Sequence, residues 1–155
     1  MKVKIKKINP NATIPTYGSP YAAGADLYAC IENAEIIKSG ETKLIKTGFS
    51  LELPVGYAAF IYARSGLASK RGLAPANKVG VVDCDYRGEV MVALHNNSST
   101  DQTVSPQERI AQMVIAPYIT AERITLTFEK GFRVSSKVLS LPAIVEKVTL
   151  FFIDL

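Results

Sequence analysis

Histidine and cysteine are scarce here, with one His and two Cys among 155 residues. Cys30 and Cys84 form no CxxC pair and have no histidine-rich partner, so neither a disulfide framework nor a zinc site is expected. Both read as ordinary thiols of a reducing compartment. His95, between Leu94 and Asn96, has neither a serine nucleophile nor a metal-ligand partner at recognisable spacing and reads as part of a surface turn. No GxxxxGK[ST] stretch occurs, which removes the P-loop route to a nucleotide. The apolar runs at 138–141 and 148–153 are interrupted by Pro142, Glu146, Lys147 and Asp154, whereas a membrane span needs about 20 unbroken apolar residues. No membrane partner is expected. Residues 1–7 alternate lysine with apolar side chains and lack the apolar stretch of a secretory signal, so an intracellular protein, cytoplasmic or nuclear, is expected.

What is present suits one domain: 48% of the residues are hydrophobic, enough to fill a core of ordinary size. The net charge of +4 is spread along the chain, so no nucleic-acid partner is expected, although a small polyanion would suit it. Residues 2–8 alternate Lys with Val or Ile, the pattern of a strand with one face in the core, and prolines and a glycine at 9–20 argue for an extended loop. Short β-prone runs follow at 35–37, 42–47, 49–53, 57–62, 79–82 and 89–94, with turn signals at Ser39-Gly40, Pro54-Val55-Gly56, Arg87-Gly88 and Asn96-Asn97-Ser98-Ser99. Further strands are predicted at 109–115 and 123–128, and one short helix around 65–70. Many short strands separated by tight turns predict an all-β sandwich or barrel.

Four segments hold more glycine and polar residues than a plain β core requires. In Ala22-Ala23-Gly24-Ala25-Asp26-Leu27, small residues permit a close backbone approach and Asp26 sits just before a predicted strand; a turn with a capping aspartate is the plain alternative. In Ala63-Arg64-Ser65-Gly66-Leu67-Ala68, a helix start offers free N–H groups to an anion beside the Arg64 charge, or is simply a solvated N-cap. In Gly80-Val81-Val82-Asp83-Cys84-Asp85-Tyr86-Arg87-Gly88, an apolar strand runs into two carboxylates that, on an extended chain, would share one face about 7 Å apart. The alternative there is a hairpin turn in which Asp85 pairs with Arg87. In Glu108-Arg109-Ile110-Ala111-Gln112, a buried Arg or Gln must be hydrogen-bonded, to the carboxylates or to a ligand.

Together and in this order, the four segments resemble the first four motifs of the trimeric dUTPase family, with Ala63 standing where the family usually has proline. The resemblance implies a distorted jelly-roll β-barrel or sandwich that assembles as a homotrimer, with each site drawing on three subunits. It implies hydrolysis of dUTP to dUMP and pyrophosphate by water attack on the α-phosphorus, assisted by Mg²⁺, which limits uracil incorporation into DNA and supplies dUMP for thymidylate synthesis. Asp83 is then the carboxylate that activates the water. Arg64, Ser65, Gly66 and Gln112 hold the phosphates, Asn77 and Val82 read uracil, and Tyr86 packs on the deoxyribose. Asp26 supports the metal through its waters, and Arg109 is a brace within its motif.

The family's glycine-rich C-terminal arm has no counterpart here, so the chain divides into a β domain at 1–128 and an atypical tail at 129–155. The nearest fragment, Gly131-Phe132-Arg133-Val134, makes Phe132 and Arg133 candidate lid residues. The competing reading is that the tail is unrelated sequence, and it is preferred because a closing arm needs glycine and polar residues. Two other functions share the fold. A dCTP deaminase would need a glutamate on the strand after the third segment, and Met91-Val92-Ala93-Leu94 has no carboxylate. A weakly active or non-catalytic protein that binds a nucleotide or a partner is the other.

Overall fold

The structure is a computed structural model and describes residues 1–121. The strand predicted at 123–128 and the tail lie outside the described residues, as do Phe132 and Arg133. The described chain runs β1 (Lys4–Lys7), β2 (Thr16–Tyr17), β3 (Ala25–Tyr28), β4 (Glu35–Ile37), β5 (Thr42–Lys46), β6 (Phe49–Glu52), β7 (Tyr57–Tyr62), α1 (Ser65–Arg71), β8 (Leu73–Pro75), β9 (Gly80–Val82), β10 (Met91–Asn96), β11 (Gln102–Val104) and β12 (Arg109–Pro117). Every ladder among them is antiparallel. This is the all-β fold that the punctuated short runs predict.

Five strands in the order β2-β3-β12-β7-β9 form the principal sheet, and β5-β10-β8 form a second. Two ribbons, β1-β6 and β11-β4, complete the strands. The core is largely aliphatic around one aromatic ring: Leu27, Ile37, Ile45, Phe49, Leu73, Leu94 and Ile110 are fully buried, the last on the long strand β12. One buried polar side chain, Asn96, satisfies every bonding group it has. Its Nδ2 donates to the Ile37 and Thr100 carbonyls at 2.9 and 2.8 Å, and its Oδ1 accepts from the Ser98 N–H and hydroxyl. Left unpaired, such an amide would cost about 1–3 kcal/mol.

The structure differs from the sequence reading at several elements. The loop expected over 9–20 is interrupted by β2, and Asp26 lies inside β3, not before it. Strands β8 and β11, of three residues each, carry too little periodicity to be read. β8 ends on Pro75, which its position at the edge of the second sheet allows. His95 belongs to β10, not to a surface turn, and its Nδ1 lies 2.8 Å from the Thr42 hydroxyl on the adjacent strand. No helix of the described residues is long and apolar enough to cross a membrane.

One irregularity decides what the principal sheet can present. Between Arg109 and Ala111, the pairing of β12 with β3 shifts by one residue, so Ile110 is an extra residue in the ladder. Arg109 faces Tyr28 and Gln112 faces Asp26, and Tyr28 and Asp26 point to the same side of β3. Without the bulge, Arg109 would share a face with buried Ala111; with it, Arg109 and Gln112 stand on one face and Ile110 and Ala111 are both buried.

Candidate active site

The bulged strand gathers the first group of site residues. Gln112 pairs with Asp26 on β3 and with Tyr62 on β7, so the chain leaving β7 brings Arg64 to the same row. Asp26, whose side chain is 14% exposed, accepts from Arg64 Nε at 2.7 Å on one oxygen and from Arg109 Nη1 at 3.2 Å on the other. Arg64 Nη1 donates to the Arg109 carbonyl at 3.3 Å, while Nη2 makes no hydrogen bond among the described residues. Arg64 is therefore largely committed to Asp26, with one edge of its guanidinium open. Gln112 Nε2 donates to the Ala63 carbonyl at 2.9 Å.

Asp26, Arg64 and Gln112 line a hollow of about 210 Å³ with Gly24, Ser65 and Gly66. A Cβ on Gly24 would lie 2.7 Å from Gln112 Oε1, so the close approach anticipated for this small-residue segment is to the Gln112 amide. Gly66 has open space around it and no left-handed φ, so nothing in the chain's own packing demands glycine there. Helix α1 is capped by Arg64 with no side-chain hydrogen bond, and Ser65 is its first residue, not its cap. Leu67 and Ala68 N–H both go to the Arg64 carbonyl, and the N–H groups of Ser65 and Gly66 precede any intrahelical acceptor. Both residues are exposed. A helix start bearing open N–H groups beside a cation is suited to an anion.

The second group surrounds β9. Strand β9 ends at Val82 and the chain turns at once, the Tyr86 N–H donating to the Asp83 carbonyl at 3.2 Å. Asp83 and Asp85 are thus exposed turn residues, not neighbours on one face of an extended strand. Arg87 does not pair with Asp85; its Nη1 donates to the Cys84 and Tyr86 carbonyls at 2.8 and 3.0 Å. Two adjoining hollows of about 210 and 100 Å³ flank β9. The first includes Asp83 and Tyr86, the second Asn77 and Gly80, and both are lined by Val81, Val82 and Met91.

No β9–β10 hairpin forms these hollows: β9 pairs with β7 and β10 with β5 and β8, so the gap lies between two sheets. As the edge of its sheet, β9 leaves one row of backbone N–H and C=O groups unpaired among the described residues, beside the exposed Asn77 amide. The Asn77 amide nitrogen stands 3.2 Å from where a Gly80 Cβ would be, and it makes no hydrogen bond among the described residues.

The two groups share no lining residue. Within one chain, Asp83, Val82, Asn77 and Tyr86 gather at one site, and Asp26, Arg64, Ser65, Gly66 and Gln112 at another. Tyr118, whose hydroxyl lies 3.5 Å from Cys84 Sγ, carried no signal in the sequence. The Tyr118 phenol is held above its ordinary pKa first by that contact, and Asp83 and Asp85 add to the effect. Buried Cys30 is likewise pushed up, chiefly by burial and then by the Glu89 charge. No three His, Cys, Asp or Glu side chains gather as metal ligands among the described residues.

The family model for dUTPase matches residues 10–137. The deoxyuridine 5'-triphosphate nucleotidohydrolase of Nautilia profundicola is 51% identical over 124 residues, covering 80% of this chain and 86% of that protein. Among solved structures, a dUTPase mutant of Staphylococcus bacteriophage 80alpha with dUpNHpp superposes with a TM-score of 0.74 at 23% identity, over 83% of this chain and 98% of that one. A dUTPase mutant from phage phi11 of S. aureus, described for its coordination of a structural Mg(II) ion, also gives 0.74, at 22% identity over 83% and 99%. At these identities the two phage structures speak to the fold, and the family model and the bacterial relative to descent: this chain belongs to the dUTPase family.

Proposed function

We propose that this chain hydrolyses dUTP to dUMP and pyrophosphate through a site completed between the subunits of a homotrimer. The observation that carries this reading is the division of the site residues into two hollows, each built from segments inside the family match. One has what a triphosphate needs: the open edge of Arg64, the N–H groups of Ser65 and Gly66, and the Gln112 amide. Glycine at 66, unexplained by the chain's own packing, leaves room for a phosphate to approach the backbone. The other has what a deoxyuridine needs: the free backbone edge of β9 at Val82, the Asn77 amide and the Tyr86 ring, with Asp83 beside them. A subunit supplying Asp83 would meet a neighbour supplying the phosphate group.

Asp83, exposed and without a cationic partner among the described residues, serves as the base that orients and activates a water for attack on the α-phosphorus. The phosphate-side donors stabilise the charge that develops on the leaving pyrophosphate. The donor set fits Mg²⁺ only as an ion held mainly by the triphosphate and its own waters, because no carboxylate cluster stands ready among the described residues. Bound there, Mg²⁺ would neutralise phosphate charge that repels the nucleophile. Asp26, fixed by two arginines, keeps lone pairs for a metal-bound water. The family match through residue 137 takes in Phe132 and Arg133, which supports their reading as a variant lid at the start of the tail.

Pyrophosphate release from dUTP, dCTP, dTTP and UTP, with and without Mg²⁺, tests the proposal. Turnover confined to dUTP, dependent on the metal and lost in Asp83→Asn, is expected. Turnover of no substrate would contradict it.

A further inference from the structure

Tyr86 is held in an unusual way. Its hydroxyl donates to the Glu89 carbonyl at 3.0 Å, so the ring folds back across its own loop. The acceptor is fixed from behind: Glu89 Oε1 accepts from the Gly48 N–H at 2.8 Å, and the Val90 N–H donates to the Phe49 carbonyl at 2.9 Å. The ring crosses directly over Gly88. A Cβ built on Gly88 would lie 2.3 Å from the Tyr86 hydroxyl oxygen, 2.5 Å from Cζ and 3.0 Å from Cε2.

The Gly88 backbone has no left-handed φ, so its conformation would accept alanine. Glycine at this position answers to the ring, not to the turn. The atoms in the way belong to a side chain that is 42% exposed and can swing aside, so a methyl group here would displace Tyr86 without unfolding the loop.

We infer that Gly88 is a positioning residue for sugar discrimination, because its missing side chain is the space in which Tyr86 is held against the Glu89 carbonyl. The inference rests on the proposed reading that Tyr86 packs on the deoxyribose and leaves no room for a 2′-hydroxyl. Moving the ring in either direction erodes that discrimination. A ring swung away admits the hydroxyl of UTP, and a ring pushed inward spoils the fit of dUTP while UTP is already excluded.

The experiment compares kcat/KM for dUTP and UTP in the full-length wild type, Gly88→Ala, Tyr86→Phe, Tyr86→Ala and the Gly88→Ala/Tyr86→Ala double variant, with thermal melts of each. In Gly88→Ala the dUTP:UTP ratio is expected to fall about tenfold, while the melting temperature stays within about 3 °C. Tyr86→Phe, which frees the ring from Glu89 without adding volume, is expected to lower the ratio about fivefold. Tyr86→Ala should lower it too, and adding Gly88→Ala to that background should change nothing further. An unchanged ratio in Gly88→Ala or Tyr86→Phe, or a second full loss in the double variant, overturns the inference while leaving the Tyr86 reading in place. A wild type that prefers dUTP and keeps its full preference in Tyr86→Ala overturns both.

Discussion

Asp26 is the residue on which the proposed phosphate side depends. Two arginines reach its two oxygens, and Arg64 stands there because Tyr62, two residues earlier, pairs with Gln112 across the sheet. Replacing Arg109 by alanine removes one of the two cations while sparing the more buried Arg64 contact. The exposed Arg109 side chain contributes little to stability, so Arg109→Ala should lower kcat for dUTP by about tenfold with the melting temperature nearly unchanged. Steady-state kinetics and a thermal melt on the same sample check this. Gly24→Ala should act on the Gln112 amide through its close approach to Oε1, raising KM about tenfold. Unaltered kinetics would mean that Gln112 does not need its present position. The cysteines offer a separate check. Burial raises the Cys30 thiol pKa and so suppresses its thiolate, whereas Cys84 is partly exposed. Folded protein near pH 8 should therefore be alkylated at Cys84 well before Cys30. The same shift has a sign for stability: with its folded pKa above the unfolded value, Cys30 favours the fold below the ordinary thiol range and loses that contribution as pH rises through the folded pKa.

At the scale of elements, legibility followed length and period. Strand β7, predicted at 57–62, and the strand near 42–47 were readable because alternation or β-branched content persists long enough to register, whereas three-residue β4 was read only from its Ile36-Ile37 pair. Strands of two or three residues such as β2, β8 and β11 cannot show a period. The bulge at Ile110 left a signal in two consecutive apolar residues after Arg109, but such a pair is equally the mark of a strand buried on both faces. The Asp83 turn was misjudged for a related reason: the apolar run of β9 invites continuation of the extended chain, whereas the backbone turns immediately after Val82. The helix was legible at its start and its stop. Gly72, at φ +68°, caps α1 in the left-handed conformation, and a Cβ there would stand 2.9 Å from the Ser98 backbone nitrogen. Gly72→Ala should destabilise the protein by about 2 kcal/mol or more, read as a lowered denaturant midpoint with an unchanged slope. A midpoint equal to wild type would show that the cap and the 96–100 turn yield more easily than their geometry implies.

For the whole molecule, the four segments were readable as a set, and the residues they name do cluster in space. Their partition was not readable, because it depends on strand order: β12 lies between β3 and β7 and gathers Asp26, Arg64 and Gln112, while β9 at the sheet edge carries Val82 and Asp83 away from them. On the proposed reading these two halves meet only between subunits. Mixing Asp83→Asn and Gln112→Ala, each expected to be inactive alone, tests it directly. After denaturation and co-refolding, mixed trimers would contain sites with an intact Asp83 from one subunit and an intact Gln112 from its neighbour. Recovery of dUTP hydrolysis in the mixture, absent from either variant refolded alone, is predicted. A mixture that assembles yet stays as inactive as its parents would contradict a site shared between chains.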